Sequence, residues 1–204
     1  MPRVSREQAD TNRAAIEAVS ARLFREQGLH GVSVADLMAA VGLTHGGFYG
    51  HFASKDVLAA VACQHAFDQA ARRRTRQLKK RVDDSSPLNT YAESYLSFHH
   101  RDQVGLGCPA VALAGDVARE PSDKPVRTAY LAGVKDMVEE LESMSFQSDV
   151  GAQNPQHSQQ HQQALLQLAA LVGAVTIARA TKGDAISDDI LIAVREYFSN
   201  LFKV

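Results

Sequence analysis

Cysteine is scarce in this chain of 204 residues, and opposite charges nearly cancel. The two cysteines, Cys63 and Cys108, have neither the spacing of zinc ligands nor the pattern of a disulfide-stabilised secreted domain. The 22 Lys and Arg residues almost balance 23 Asp and Glu residues, which gives a formal net charge of −1. The overall charge therefore does not favour nucleic-acid binding, and only a local arrangement of charge can do so.

Long apolar segments are also missing. Arg3, Arg6 and Glu7 interrupt the start of the chain, which excludes the pattern of a signal peptide. The longest strongly apolar stretch, residues 168–178, is shorter than the ~20 residues that span a bilayer. These features predict a soluble cytoplasmic protein. We predict a disordered start at residues 1–10, with a minor-groove arm formed by Arg3 and Arg6 as the alternative.

Motifs for catalysis are absent from the sequence. It contains no glycine-rich phosphate loop, nucleophile elbow or paired-carboxylate motif. His157 and His161 are four positions apart and can share one helix face, but no clear third metal ligand accompanies them. We therefore predict no enzymatic activity, no cofactor and no metal site.

Residues 32–55 have the pattern of two short helices joined by a tight turn. Ser33 is a favourable N-cap for the first helix, Gly42 is placed for its left-handed end, and Thr44 is placed to cap the second. The apolar positions are Val34, Leu37, Met38 and Val41 in the first helix and Phe48 and Phe52 in the second. Two helices joined in this way form a helix-turn-helix, whose second helix enters the major groove of DNA. Ser54 is placed to cap the helix that follows.

The second helix of this pair is poor in side chains. Its three glycines, Gly46, Gly47 and Gly50, each cost a helix roughly 1 kcal/mol relative to alanine. Missing side chains let a flat partner such as DNA approach the backbone closely. Tyr49 and His51 are able to donate hydrogen bonds to phosphate oxygens from the same helix.

This stretch resembles the DNA-binding signature of the TetR (tetracycline-repressor-like) family of bacterial transcriptional regulators. The matching positions are Gly42, Thr44, Gly46, Tyr49, His51, Phe52, Ser54 and Lys55. The resemblance covers about residues 10–60. It implies an all-α homodimer with an N-terminal three-helix DNA-binding domain, residues 1–54. It also implies a larger C-terminal helical domain, residues 55–204, that binds a small effector and dimerises.

The resemblance also implies roles for individual positions. Those that usually contact phosphates are Ser33, Thr44, Tyr49, His51 and Lys55, and those nearest the bases are His45, Gly46 and Gly47. The chain departs from the family pattern at His45, Gly47 and Gly50, where longer polar or aromatic side chains are common. Few side chains are therefore available to read the bases.

Helical periodicity continues along the rest of the chain, without the alternation typical of strands, and predicts an all-α fold. Asp10 or Thr11 is placed to cap the first helix, which ends at Gly28. The further predicted helices are residues 54–81, 88–101, 108–119, 122–141, 164–178 and 187–202, with a polar loop at residues 151–163. We interpret the basic run at residues 72–81 as a solvated helix end, because about 40 Å of helix separates it from Ser54. A second DNA contact is the alternative.

The last two predicted helices carry apolar residues on more than one side. A helix that is apolar all round must be buried all round. Paired across a two-fold axis, two such helices from each chain form a four-helix bundle. We predict a homodimer through these helices, with a wholly internal core as the alternative.

An effector pocket is predicted between the helices of the second domain. Its predicted lining is Phe67, Tyr95, Phe98, Cys108, Val111, Met137 and Leu141. Cys108 precedes a predicted helix, whose dipole favours a reactive thiolate, and the alternative is a small buried hydrophobic side chain.

Together these patterns predict that the chain is a ligand- or redox-responsive transcriptional regulator. In the family that the chain resembles, such regulators are most often repressors. Its predicted partners are a palindromic double-stranded DNA operator, a small-molecule effector and a second copy of the chain. The alternative is a Cys108-based redox-binding module or enzyme, built on a helical scaffold that does not use DNA.

Overall fold

A computed structural model describes residues 5–79, 86–145 and 155–201, and every regular element in these ranges is helical. The α-helices are α1 (Arg6–Gln27), α2 (Val34–Ala40), α3 (Lys55–Lys79), α4 (Pro87–Tyr95), α5 (Phe98–Asp102), α6 (Pro109–Arg119), α7 (Pro125–Ser145), α8 (Pro155–Ala180) and α9 (Ala185–Asn200). Two short 3₁₀ helices cover His45–Gly50 and Val104–Leu106. The predicted all-α class is confirmed.

The first helix starts earlier than predicted. Ser5 adopts extended backbone angles, and its hydroxyl accepts a hydrogen bond from Gln8 N at 3.2 Å, so Ser5 is the N-cap. The prediction of a cap at Asp10 or Thr11 is therefore wrong. The predicted end at Gly28 is confirmed, since this residue has a φ of 80° and its N–H donates to Phe24 O.

Two other predicted boundaries are wrong. The predicted helix 88–101 is divided into α4 and α5, because Ser97 accepts a hydrogen bond from His100 N and caps a new helix. The predicted loop 151–163 is helical from Pro155 onward, and its histidines and the glutamines from Gln156 to Gln163 belong to α8. Residues 151–154, the predicted helix ends at 81 and 202, and the arm residue Arg3 lie outside the described residues.

The chain folds into two compact units, and neither is continuous in sequence. The first contains Met1–Ala70 and Val104–Ala132, and the second contains Ala71–Gln103 and Gly133–Val204. These two units are defined by packing alone and do not test the predicted functional domains. The assignment of residues 1–54 to DNA binding and of 55–204 to effector binding and dimerisation stays a prediction.

In the first unit, α1 packs against α2, α6 and the Val104–Leu106 helix. Its fully buried side chains include Ile16, Phe24, Leu37, Met38, Phe48 and Leu58. The carboxylate of Asp116 on α6 accepts a hydrogen bond from Leu29 N at 2.8 Å, just after α1 ends. The buried Arg25 guanidinium donates to Gly107 O and Gln69 Oε1, both at 3.0 Å. Polar bonds of α1 thus tie it to segments far away in sequence.

In the second unit, α8 and α9 form the largest packing contact, and α4 packs against α9. The fully buried side chains here include Leu88, Leu96, Leu141, Leu171, Leu191 and Phe198. Arg179 on α8 donates to the carbonyl oxygens of His100 and Arg101 at 2.9 and 3.0 Å, and so caps the end of α5. Ser187 donates to Ala178 O at 2.6 Å across the α8–α9 turn.

Helix α8 extends beyond the short apolar run seen in the sequence. Its segment Ser158–Ala180 has a mean hydropathy of 1.5 and is, among the described residues, the one helix long and apolar enough to cross a membrane. Length and composition alone support this, and a core helix meets the same criteria. The cytoplasmic location therefore stays a prediction.

Gly28→Ala should destabilise the first unit. The φ of 80° strains any side chain, and an added Cβ would lie 2.6 Å from Asp116 Oδ2, the acceptor of the Leu29 bond. We expect a loss of about 2 kcal/mol in the free energy of unfolding, measured by urea denaturation. Gly115→Ala on α6 is the matched control, because its nearest contact is an ordinary 3.7 Å and helix propensity favours alanine. Equal stability of the two variants would contradict this account.

Candidate nucleic-acid interface

A capping box starts the first helix of the helix-turn-helix. Ser33 Oγ accepts a hydrogen bond from Asp36 N at 3.1 Å, and Ser33 N donates to Asp36 Oδ2 at 2.9 Å. The Ser33 hydroxyl also donates to Asp36 Oδ2 at 2.6 Å. These side-chain and backbone hydrogen bonds from Ser33 lower the pKa of Asp36. Ser33 confirms the predicted cap, and both of its donors are used by Asp36.

The turn between the two helices also follows the predicted pattern. Gly42 has a φ of 71°, which favours glycine. The N–H groups of Val41 and Leu43 both donate to Met38 O, at 3.2 and 2.9 Å. Helix α2 therefore ends in a closed turn that sends the chain directly into the next helix.

The second helix is a 3₁₀ helix of six residues, His45–Gly50, and not an α-helix. Thr44 occupies the N-cap position with extended backbone angles, but its hydroxyl makes no capping bond, so that part of the prediction is wrong. Phe48 and Phe52 are 0 and 2 % exposed, and their ring centroids are 5.8 Å apart. Their predicted burial is confirmed.

Arg13 of α1 is a contributor that sequence reasoning missed. Its Nη1 donates to His51 O at 2.6 Å, and its guanidinium stacks on the Phe52 ring at 4.5 Å. Its Nε also pairs with Glu17 at 3.0 Å. The four-residue spacing of Arg13 and Glu17 is visible in the sequence, but the bond to a carbonyl 38 positions away is not. Arg13 therefore holds the end of the second helix against α1.

The fold itself does not demand glycine in this helix. A Cβ added at Gly46 or Gly50 would meet nothing within 4 Å, and one at Gly47 would meet only ordinary contacts at 3.7 Å. None of the three has a positive φ, unlike Gly42. The helix thus presents bare backbone on its outer side, where a close partner can reach it.

Polar side chains surround this bare backbone. Those whose polar ends make no hydrogen bond or ion pair with any described residue are Thr44, His45, Tyr49, His51 and Lys55. Tyr49 is 66 % exposed, and its ring meets His45 edge-on at 6.3 Å and Phe48 edge-on at 5.2 Å. The Lys55 ammonium lies 6.0 Å from the Phe24 ring. The hydroxyl, imidazole and ammonium groups are all available to an external acceptor.

The predicted effector-lining residues fall in both compact units. Phe67, Cys108 and Val111 belong to the first, and Tyr95, Phe98, Met137 and Leu141 belong to the second. All are buried except Phe98, which is 42 % exposed. The structure therefore describes two groups of lining candidates, and their shared pocket stays a prediction.

Tyr130 contacts Phe67 of the first group. Its ring is 5.9 Å from that of Phe67, and its hydroxyl donates to Ala110 O at 2.8 Å. Burial, together with Cys108 and Cys63, raises the pKa of Tyr130 to about 12. Burial likewise raises the pKa of Cys63 to about 12, against the opposing charge of Arg25. Tyr130 and Cys63 are neutral at physiological pH, and both thiols are shielded from solvent.

Tyr95 of the second group packs against two other rings, one tilted and one edge-on. Tyr95 lies 5.4 Å from Tyr91 and 4.6 Å from His100, measured between centroids. The His100 Nδ1 lies 2.6 Å from Tyr95 O. Burial lowers the pKa of His100 to about 4, with a smaller lowering from Arg179. His100 is therefore a neutral ring at physiological pH.

Large apolar residues are exposed on both α8 and α9. On α8 they are Leu165, Leu166 and Ile177, and on α9 they are Ile186, Ile192 and Tyr197. Leu166 is the most exposed of them, at 71 %. Such apolar area is unfavourable in water unless another surface covers it.

Metal ligands do not cluster in the part of the chain that the structure describes, where no group of three His, Cys, Asp or Glu residues is found. His161 pairs with Glu142, with Nδ1 and Oε1 2.6 Å apart. The His157 side chain lies outside the described residues.

Comparisons with known proteins agree with this geometry. Residues 9–62 match the family described as bacterial regulatory proteins, tetR family. No curated protein matches the sequence. The resemblance drawn from the helix-turn-helix residues is confirmed.

Solved structures share the fold at low sequence identity. A TetR family transcriptional regulator from Cytophaga hutchinsonii has a TM-score of 0.77 at 22 % identity, covering 98 % of both chains. The reduced form of E. coli NemR has a TM-score of 0.74 at 19 % identity, covering 93 % of this chain and 96 % of that one. A TetR regulator from Chloroflexus aurantiacus has a TM-score of 0.72 at 22 % identity, covering 95 % and 96 %.

Gly46→Ala should leave the fold intact or stabilise it. The position has open space and no positive φ, so alanine removes backbone entropy from the unfolded chain without strain. We expect a gain of up to about 1 kcal/mol in the free energy of unfolding, measured by urea denaturation. Gly42→Ala is the control, because it also has open space but a φ of 71°, and it should lose about 1 kcal/mol. A destabilised Gly46→Ala protein would mean that the fold requires this glycine.

Proposed function

We propose that this chain is a transcriptional regulator, because residues 9–62 match the family described as bacterial regulatory proteins, tetR family. It binds a palindromic DNA operator as a homodimer and acts as a repressor. The observation that carries this proposal is the exposed backbone of the His45–Gly50 helix, which is open at Gly46 and Gly50 although the fold does not require glycine there. A sequence selected for folding alone has no use for these glycines.

The surrounding side chains support a phosphate-contacting role. Thr44, Tyr49 and His51 each offer a donor that no described residue uses, and Lys55 adds a positive charge at the start of α3. Such donors are typical of the contacts that set a protein's register on DNA. Ser33 differs, because Asp36 uses both of its donors. We therefore assign Ser33 to holding α2, rather than to contacting phosphate directly.

Dimerisation through α8 and α9 completes the proposal. The exposed apolar residues of these two helices supply an uncovered surface on one chain. A two-fold axis there makes a four-helix bundle from identical surfaces. The dimer brings two helix-turn-helix domains to one duplex, with half-sites about one helical turn, ~34 Å, apart. A short recognition helix needs this duplication, because it makes few contacts alone.

We propose that a small effector, bound in the second domain, causes the dimer to dissociate from DNA. Effector binding shifts the population from a dimer state that fits the groove spacing to one that does not. Thiol modification at Cys108 is the second possible trigger. Its burial, at 5 % exposure, supports a packing role more than a reactive one, since reactive thiols need access. The same burial weighs against the alternative of a Cys108-based enzyme.

Tyr49→Phe and His51→Ala should each weaken DNA binding without changing which sequence is preferred. Each removes a hydrogen-bond donor to phosphate, so the dissociation constant should rise about two- to tenfold for all duplexes. Gel-shift titrations at several salt concentrations measure this, and binding by the parent should fall steeply with salt.

His99→Ala is the matched control for these variants, because His99 is an exposed histidine of the second unit. Unchanged binding by Tyr49→Phe and His51→Ala would show that this helix does not face DNA. A parent protein that binds no duplex would overturn the proposed function.

Leu166→Glu should shift the protein from dimer to monomer. A carboxylate placed in an apolar interface loses its hydration, so the dimer dissociation constant should rise at least roughly tenfold. Sedimentation velocity across a concentration series measures it. Leu131→Glu is the control, because Leu131 is a 54 % exposed leucine on α7 in the first unit. If Leu166→Glu dimerises like the parent, the interface lies elsewhere.

A further inference from the structure

The first turn of α3 carries opposite charges at adjacent positions. Ser54 caps this helix, since its hydroxyl accepts a hydrogen bond from Val57 N at 3.2 Å. Lys55 and Asp56 are the first two residues of the helix. A carboxylate here stabilises the helix by interacting with the dipole of its first turn. The same carboxylate follows directly after Lys55, whose ammonium is proposed to contact a DNA phosphate, so its negative charge opposes that contact.

A cation from a distant segment pairs with this carboxylate. The Lys124 Nζ lies 2.5 Å from Asp56 Oδ2, although 68 positions separate the two residues. The hydrogen bond to Asp56, with smaller contributions from the charges of Asp56, Glu120 and Asp123, raises the pKa of Lys124. Lys124 belongs to the turn between α6 and α7, outside the residues that match the family. The charge of the first α3 turn therefore depends on a residue beyond the helix-turn-helix.

One cleft of the first unit brings these charges together. Its charged lining residues are His30, Lys55, Asp56, Glu120 and Lys124. Each of its two carboxylates has a partner, because Glu120 Oε1 lies 2.6 Å from His30 Nε2 and Asp56 pairs with Lys124. Lys55 is the lysine of this cleft that forms no ion pair with a described residue. The cleft thus leaves the charge of Lys55 open to an external anion.

The α6–α7 turn holds Lys124 in place through its own hydrogen bonds. Lys124 N donates to Pro121 O at 3.2 Å, and Lys124 O accepts from Arg127 N at 3.0 Å. The Arg127 guanidinium donates to Val117 O and Glu120 O at 3.2 and 2.7 Å, which closes the end of α6. The backbone that carries Lys124 is therefore already ordered. Pairing with Asp56 orders only the two side chains, which lowers the entropic cost of a surface ion pair.

We propose that Lys124 completes the DNA-binding surface by neutralising Asp56, an inference that rests on the proposed DNA-binding function. Asp56 stabilises the start of α3, and Lys124 cancels its repulsion of DNA so that Lys55 can contact a phosphate. Lys124 is a positioning residue in this account, since it acts through Asp56 and does not touch DNA itself.

A double-mutant cycle on Lys124 and Asp56 tests this role, with a duplex that the parent selects from a randomised library. Lys124→Ala leaves a bare carboxylate beside Lys55, so the dissociation constant at low salt should rise about three- to tenfold. Asp56→Asn removes that carboxylate and should bind at least as tightly as the parent. The double variant should bind like Asp56→Asn, because Lys124 then has no charge to neutralise.

Two further readouts separate this role from a merely structural one. The loss caused by Lys124→Ala should shrink to less than about twofold at high salt, because ions screen the exposed carboxylate. Asp56→Asn should unfold at a lower urea concentration than the parent while binding DNA no more weakly, since it loses only the interaction with the helix dipole. Loss of folding alone would change stability and binding in the same direction.

Lys135→Ala is the matched control, because it removes the same charge from an exposed lysine of α7 that lies in the second unit. It should bind DNA like the parent. Lys124→Arg keeps the positive charge and should also retain binding.

The outcomes distinguish this inference from the function on which it rests. If Lys124→Ala binds like the parent at low salt, the inference is overturned and DNA binding stands. If the double variant is as weak as Lys124→Ala, Lys124 contacts DNA directly, which also overturns the inference. The salt dependence of binding would then fall by about one phosphate contact per chain. If the parent binds no duplex at any salt concentration, both the inference and the proposed function are overturned.

Discussion

The burial of Phe48 is the contact on which the rest of the interface depends. The His45–Gly50 helix has half of its residues as glycine and only six residues in all, so it has little stability of its own. Phe48 is fully buried, Phe52 is nearly so, and Arg13 holds the next carbonyl through His51 O. Tertiary packing therefore supplies the order that the local sequence lacks. The helix can expose bare backbone because its other side is held.

Side-chain hydrogen bonds also fix α1 within the first unit. Leu29 N, just after α1, donates to Asp116, and Arg25 of α1 donates to Gly107 O, so these bonds join α1 and its end to segments more than 80 positions away. The helix-turn-helix therefore belongs to a packing unit that also includes residues 104–132. Residues 104–132 are therefore in direct contact with the helix that packs against α2.

The two surfaces proposed to meet partners differ in chemistry. The proposed DNA-facing surface, on the His45–Gly50 helix, is polar and has few side chains. The proposed dimer surface on α8 and α9 is apolar, and Leu166 is its most exposed leucine. These chemistries suit different occupants, because water competes strongly for phosphate-binding donors but is released by apolar contact. The acidic and basic totals cancel over the chain, so neither surface was visible in the net charge.

The sequence by itself determined the features that depend on near neighbours. These are the all-helical class, the capping role of Ser33, the turn at Gly42 and the buried pair Phe48 and Phe52, since caps, turns and apolar periodicity involve residues within about four positions. Tertiary structure decided what depends on distant partners: the 3₁₀ form of the recognition helix and the clamp by Arg13. It also divided the predicted lining residues between two units, because packing between distant segments leaves no local pattern.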